Sequence, residues 1–151
     1  IGFNYRITGF QCALGISQLK KLDQFVIKRR KIAKLYDKAF AKNNLLIIPT
    51  TENKIIHSYH LYPLKIDFEN TKMDKRKFYR VMKENEILIQ VHYIPVHQQP
   101  YYRKNFGFKR NDFPNAINFY EQEISLPMFP SLSKNNQNNI IDLINQYYED
   151  K

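Results

Sequence analysis

The sequence has 151 residues, enough for one domain or a domain-sized piece of a larger protein. Hydrophobic residues make up 43% and aromatics 15%, sufficient to bury a core and to exclude a disordered chain despite 25% charged residues. The net charge of +10 admits a polyanionic partner, whereas a single cysteine excludes an internal disulfide.

Thr8-Gly9-Phe10-Gln11 has the form of a capping box, in which the Thr hydroxyl and the Gln side chain each satisfy one backbone group. Leu19, Leu22, Val26, Ala33, Tyr36 and Phe40 then recur at spacings of three, four or seven, which predicts one long amphipathic helix over 9–41. Its first turns, with Phe10, Cys12, Ala13, Leu14 and Ile16, are apolar nearly all round. They predict burial against something larger, with Cys12 as a packed, inert thiol. Asn43-Asn44 ends the helix, and 45–48 reads as a short strand before Pro49.

From Ser58 to Asp67 the pattern alternates, with His60, Tyr62, Leu64 and Ile66 on one face. Pro63 removes a ladder donor, so the expectation is an edge strand or one interrupted by a bulge. Asp74 is an N-cap for a helix burying Phe78, Val81 and Met82, and 87–91 is a β-like run. His92 to Tyr102 breaks every period and reads as a loop fixed by Pro95 and Pro100. Pro114 starts a short helix with Ala116, Ile117 and Tyr120 inward, and 124–126 reads as a last strand. Ser133 caps a final helix carrying Ile140, Ile141, Ile144 and Tyr148. The order of elements predicts a small α/β layer structure.

No apolar run approaches membrane-spanning length and no signal-peptide pattern opens the chain, so the expectation is a cytoplasmic protein. The chain opens on Ile1 rather than Met, in what reads as mid-motif, which suggests a piece of something longer. The cations Lys20, Lys21, Lys28, Arg29, Arg30, Lys31, Lys34, Lys38 and Lys42 point in several directions rather than forming a stripe. No nucleic-acid motif accompanies them, and a nucleic-acid partner is not expected. His57 and His60 fall in strand-like sequence, where residues three apart face opposite ways. With no Cys pair or helical His-Glu pattern beside them or beside His92 and His97, no metal site is expected. The four glycines are too scattered for a phosphate loop.

Two segments remain. In Gly2-Phe3-Asn4-Tyr5-Arg6 an amide and a guanidinium two residues apart can both donate to a phosphate or carboxylate, and on spacing alone a polar helix lead-in fits equally well. The second is His92-Tyr93-Ile94-Pro95-Val96-His97-Gln98-Gln99-Pro100-Tyr101-Tyr102. It reads either as the wall of a binding site or as a packed loop whose tyrosines cover a core.

Gly2-Phe3-Asn4-Tyr5-Arg6-Ile7-Thr8, followed by Gln11, Ala13, Leu14, Gly15 and Gln18-Leu19-Lys20-Lys21-Leu22, resembles the DegT/DnrJ/EryC/StrS family of sugar aminotransferases. Arg29-Arg30, Tyr36, Ser58-Tyr59-His60-Leu61-Tyr62-Pro63 and Ser125-Leu126-Pro127-Met128-Phe129-Pro130 extend the resemblance along the chain. The His92–Tyr102 segment resembles the branch that aminates UDP-linked 4-keto-6-deoxy-N-acetylhexosamines for pseudaminic acid.

The resemblance implies an aspartate-aminotransferase-like fold. Residues 1–44 would be the long interface helix leading from a large domain, and 45–151 the C-terminal α/β small domain. It further implies pyridoxal phosphate as cofactor, a nucleotide sugar and glutamate as substrates, and a homodimer with its active sites at the interface. Asn4 and Arg6 would be cofactor-binding, reaching the phosphate in the partner's site, while His92, Tyr93, His97 and Tyr101 would lie at the nucleotide sugar. The family's Schiff-base lysine belongs upstream of the Asn-Tyr-Arg motif. No catalytic residue is assigned here, and the chain alone is expected to be inactive and to self-associate through its exposed helix. A different class of function, a non-catalytic remnant holding an acidic partner on its basic surface, is the alternative.

Overall fold

The computed structural model describes residues 2–52, 54–71 and 73–148, so Ile1 and the last three residues of the expected 45–151 unit lie outside it. Thr8 opens α1 (Gly9–Leu19) through the predicted capping box. Its Oγ1 accepts from the Gln11 N–H at 3.3 Å, and Gln11 Oε1 accepts from the Thr8 N–H at 2.9 Å.

The single long helix expected over 9–41 is two. At Lys20-Lys21 the Lys21 N–H bonds the Gln18 carbonyl three residues back, a local tightening to 3₁₀ geometry. The α-helix then restarts as α2 (Leu22–Phe40). Only its second half is packed. Ile32, Ala33, Tyr36 and Phe40 are buried, whereas Leu19 and Leu22 of the predicted stripe are exposed. No residue of α1 is buried, and Cys12 is exposed, contrary to the packed thiol expected from its apolar neighbours. Among the described residues nothing covers those neighbours.

Strands β1 (Leu46–Ile47), β2 (Tyr62–Ile66) and β3 (Glu123–Leu126) form one antiparallel sheet in that order. Tyr62, Leu64 and Ile66 are fully buried, as the alternation predicts, but β2 is the central strand rather than an edge. The ladder explains how Pro63 survives there. Its partner on β3, Ser125, spends both backbone groups on Gln90, at 3.1 and 2.7 Å, and asks no N–H of Pro63. On the other side β1 ends after Leu46↔Ile66 and Ile47↔Lys65, and two residues further the register would set Pro63 opposite Pro49. The pairing stops where neither residue has a donor. His60 lies outside the strand and is exposed.

Asp74 caps α3 (Lys75–Glu84), which buries Phe78 and Met82. Residues 87–91 are not a strand. After Glu86, in the left-handed region at φ 59°, the segment makes only the Gln90↔Ser125 bridge on the free edge of β3, with Ile89 buried. The expected loop over 92–102 includes the start of α4 (Pro100–Phe106), with Pro100 in its first turn and Gly107 at φ 69° closing it. In α5 (Pro114–Gln122) Ile117 is buried and Tyr120 half-buried, while Ala116, expected inward, is exposed. Ser133 caps α6 (Lys134–Tyr148), whose Ile140, Ile141, Ile144 and Tyr148 are buried as predicted.

The core lies where α2, α3 and α6 meet the Tyr62–Leu64–Ile66 face of the sheet, extended by Ile124 and Leu126. Each such side chain, fully buried, contributes roughly 1.5–3 kcal/mol. Two polar contacts fix α2 within it. Gln137 on α6 donates to the Ile32 carbonyl at 2.8 Å, and the Tyr62 hydroxyl donates to Asp37 at 2.7 Å. No helix among the described residues is long and apolar enough to cross a membrane.

Candidate functional site

The opposite face of β3 carries the chemistry. Alternation sends Ile124 and Leu126 to the core and Glu123 and Ser125 to the other face, yet all four residues are buried. Glu123 is 1% and Ser125 2% exposed. A carboxylate so enclosed must be hydrogen-bonded. Glu123 Oε2 accepts the His92 backbone N–H at 2.9 Å, and Glu123 Oε1 accepts the Ser125 hydroxyl. Ser125 Oγ also lies 2.8 Å from His92 Nδ1. His92 itself is half-buried, with its ring edge-on to Tyr93 at 4.6 Å between centroids, and Tyr93 is 72% exposed. The bridge at Gln90 therefore delivers the chain so that residue 92 meets the buried acid and hydroxyl two strand positions apart.

Beside this network a cleft of about 600 Å³ opens between α3 and α5, lined by Lys75, Arg76, Tyr79, Arg110 and Tyr120. Lys75 Nζ donates to the Tyr120 carbonyl oxygen, in the last turn of α5, and stands 5.0 Å from the Tyr120 ring centroid. That placement suits a cation at a helix C-terminus. Burial lowers the Lys75 pKa below the usual lysine value, opposed by the charges of Glu123 and Glu121. Arg110 pairs with Glu121 at a half-exposed position. Another depression, of about 370 Å³ between residues 85–88 and α6, is lined by Asn, apolar residues and Glu86, with no cation or imidazole.

His97 and Tyr101, expected beside His92, sit elsewhere. His97 is buried, its Nε2 3.1 Å from the Arg110 carbonyl oxygen and its ring 4.8 Å from that of Phe113. Tyr101 is exposed on α4, in an aromatic cluster with Tyr102 and Phe106 at 5.3 and 6.2 Å.

Asn4 and Arg6 are exposed ahead of α1 and bonded to each other, Arg6 Nε donating to Asn4 Oδ1 at 3.1 Å. Among the described residues the hydrogen bonds of 4–11 are local, and nothing joins this pair to His92. No cluster of three or more His, Cys, Asp or Glu positioned to hold a metal occurs among the described residues.

Sequence reasoning passed over three residues. Glu123 and Ser125 were legible as an acid and a hydroxyl flanking Ile124 in a strand otherwise fit for the interior. Arg29 counts among the surface cations and in the family resemblance, neither of which gives it a structural role, yet its Nη1 donates to the carbonyl oxygens of Tyr59, His60 and Met128 at 3.0, 3.1 and 2.7 Å. It ties α2 to the approach to β2 and the exit from β3.

Residues 1–145 match the model of the DegT/DnrJ/EryC1/StrS aminotransferase family. The UDP-4-amino-4,6-dideoxy-N-acetyl-beta-L-altrosamine transaminase of Campylobacter jejuni is 39% identical over 127 residues, which cover 84% of this chain and 33% of that protein. Helicobacter pylori PseC, an aminotransferase involved in the biosynthesis of pseudoaminic acid, superposes with a TM-score of 0.86 at 33% identity, over 99% of this chain and 39% of that one. The PMP-form of the sugar aminotransferase Spr1654 from Streptococcus pneumoniae gives 0.85 at 26% identity, over 95% and 36%. The chain thus spans little more than a third of the length of the relatives it matches.

Proposed function

The chain belongs to the DegT/DnrJ/EryC1/StrS aminotransferase family, and from that premise we propose that it is the C-terminal part of a cytoplasmic, homodimeric transaminase. The reaction moves an amino group from glutamate to a UDP-linked 4-keto-6-deoxy sugar. The observation that carries this reading is that the family match runs over residues 1–145 and so takes in both candidate segments, 2–6 and 92–102. The 39% identity to a transaminase named for a UDP-linked 4-amino-4,6-dideoxy sugar supports the substrate class. Residues 1–44 are then the arm leading from a large domain, and 45–151 the small domain.

Enzymes of this family use pyridoxal phosphate. Asn4 and Arg6 fit its phosphate end. Arg6 occupies Asn4 Oδ1 through Nε, so the terminal guanidinium N–H groups and the Asn4 amide N–H remain as donors on an exposed segment. When bound, the cofactor supplies an electron sink for the carbon whose amine is exchanged. On the sugar side, His92 and Tyr93 present an imidazole and a phenol on a segment bridged to the edge of β3 at Gln90. Tyr101, exposed on α4 beside Tyr102 and Phe106, offers the nucleotide sugar a second aromatic surface away from His92, and buried His97 supports the segment through the Arg110 carbonyl oxygen. No lysine of this chain is assigned the covalent role, and residues 1–151 alone are expected to be inactive.

The test is to extend the reading frame upstream of Ile1 and purify the product. Cofactor absorbance and glutamate-dependent amination of a UDP-linked 4-keto-6-deoxy sugar are the expected results. A longer product with neither would end the enzyme reading. The net charge of +10 favours a second reading, a non-catalytic module holding an acidic partner. Salt-dependent retention on a polyanion, with no cofactor bound to the extended product, would support it.

A further inference from the structure

Ser125 Oγ has one hydrogen and stands between two groups that both demand a partner, Glu123 Oε1 and His92 Nδ1. Two directions are open to such a chain. With Glu123 ionised, the hydroxyl hydrogen goes to the carboxylate, and the hydroxyl oxygen accepts, so His92 Nδ1 carries the proton. With Glu123 protonated, every bond reverses, and the proton moves to His92 Nε2.

The surroundings select the first. The His92 backbone N–H, whose direction is fixed, points at Glu123 Oε2, and a bond from an N–H is stronger to the ionised carboxylate. Lys75, half-buried on α3, adds a positive charge close enough for Glu123 to raise its pKa. Nε2 has no hydrogen-bond partner among the described residues, and the ring is half-exposed.

We infer that Glu123 and Ser125 hold the His92 ring with its proton on Nδ1. Nε2 is thereby presented outward as a lone-pair acceptor for a hydroxyl or amide N–H of the nucleotide sugar. Glu123 and Ser125 are positioning residues, since neither reaches the surface, and His92 is the group that makes the contact. The acceptor role rests on the sugar-site reading of residues 92–102, whereas the protonated nitrogen does not.

The experiment uses that independence. The chain has four histidines, so a long-range ¹H–¹⁵N correlation spectrum is assignable, with His92→Gln identifying the signal. Well above the usual histidine pKa of about 6.5, the neutral His92 ring is expected to be protonated on Nδ1. Ser125→Ala removes the acceptor. Glu123→Gln keeps the shape but accepts at only one end: with its oxygen on the His92 N–H, its NH₂ donates to Ser125 and reverses the chain. Both variants are expected to move the proton to Nε2.

Protonation on Nε2 in the unaltered chain overturns the proposal without recourse to any variant. Protonation on Nδ1 that persists in Ser125→Ala overturns the part given to Ser125 and Glu123. In the extended enzyme, Ser125→Ala is expected to raise KM for the nucleotide sugar, with UDP-4-amino-4,6-dideoxy-N-acetyl-beta-L-altrosamine as the probe in the reverse direction, by roughly tenfold. KM for 2-oxoglutarate, which takes up the amino group in that direction, should not move. An unchanged sugar KM with the spectral change intact would overturn the acceptor role and the sugar-site reading, and leave the buried relay standing.

Discussion

Replacing Arg29 with Met tests whether one cation in a basic row holds the fold while its neighbours do not. Arg29 Nη1 faces the carbonyl oxygens of Tyr59, His60 and Met128 at 3.0, 3.1 and 2.7 Å. One terminal nitrogen has two hydrogens, so three acceptors amount to one full bond and one shared between two. Bonds from a charged donor are worth about 1.5–3 kcal/mol each, and half-burial of the side chain lowers their sum to about 2–4 kcal/mol. Methionine keeps the apolar stem and removes only the donors, which leaves carbonyls of two loops to find water. Against a typical stability of about 5–15 kcal/mol this is a large fraction. With a urea slope of about 2 kcal/mol/M the unfolding midpoint falls by roughly 1–2 M. Arg30→Met, one residue on and exposed, is the control and is expected to stay within about 0.5 kcal/mol of the parent. Equal midpoints for the two variants, within that margin, would refute the reasoning.

Two of the buried tyrosines, Tyr62 and Tyr148, should behave oppositely on replacement by Phe. Tyr62→Phe strips Asp37 of its 2.7 Å partner and costs about 1–3 kcal/mol. Tyr148→Phe removes a buried hydroxyl with no partner among the described residues and is neutral or stabilising, and a loss above about 1 kcal/mol in urea titration would contradict this. Burial pushes the Tyr36, Tyr62 and Tyr148 hydroxyls far above the usual tyrosine range, aided at Tyr62 by its bond to Asp37. The unfolded chain ionises near pH 10 while the folded chain keeps these protons, so their contribution is complete below that pH. Stability then falls as pH rises past it, by up to about 4 kcal/mol per unit for three groups. Melting temperatures that stay level from about pH 10 to 11 would exclude it. Phe10, Leu14, Ile16 and Leu19 are all more than half exposed on α1, so the chain should associate at high concentration. Phe10→Ser with Leu14→Ser should lower its sedimentation coefficient, and a monomeric parent would remove the basis for the prediction.

What was legible in the sequence follows from where local signals act alone. Thr8, Asp74 and Ser133 each cap a helix through their own side chain, a signal complete within four residues. The period of Ile140, Ile141, Ile144 and Tyr148 needs only one covering face. Pro63 misled because the rule against proline in central strands concerns the side its missing N–H faces. That side became knowable only with the registers of β1 and β3. Residues 100–106 hid a helix because prolines and aromatics read as loop, although Pro100 and Gly107 are a start and a stop. Of the candidate site, His92 was legible as a type and a place. Glu123 and Ser125 were legible as types but not as its partners, since that partnership depends on a bridge that spans 35 residues, from Gln90 to Ser125.

The two halves of the candidate site differ in physical standing. His92 is held by groups on a strand whose other face is core, and its geometry is fixed by burial already complete within residues 32–148. Asn4 and Arg6 precede a helix with no buried residue, and an isolated helix of 11 residues is marginal in water. Their mutual bond is local and exposed, worth little on its own. The half proposed to face the sugar is therefore built by this chain's own folding energy. On the proposed reading, the half assigned to the phosphate acquires a fixed shape only when another surface covers α1, which predicts that assembly and cofactor binding are coupled while the imidazole is ready beforehand.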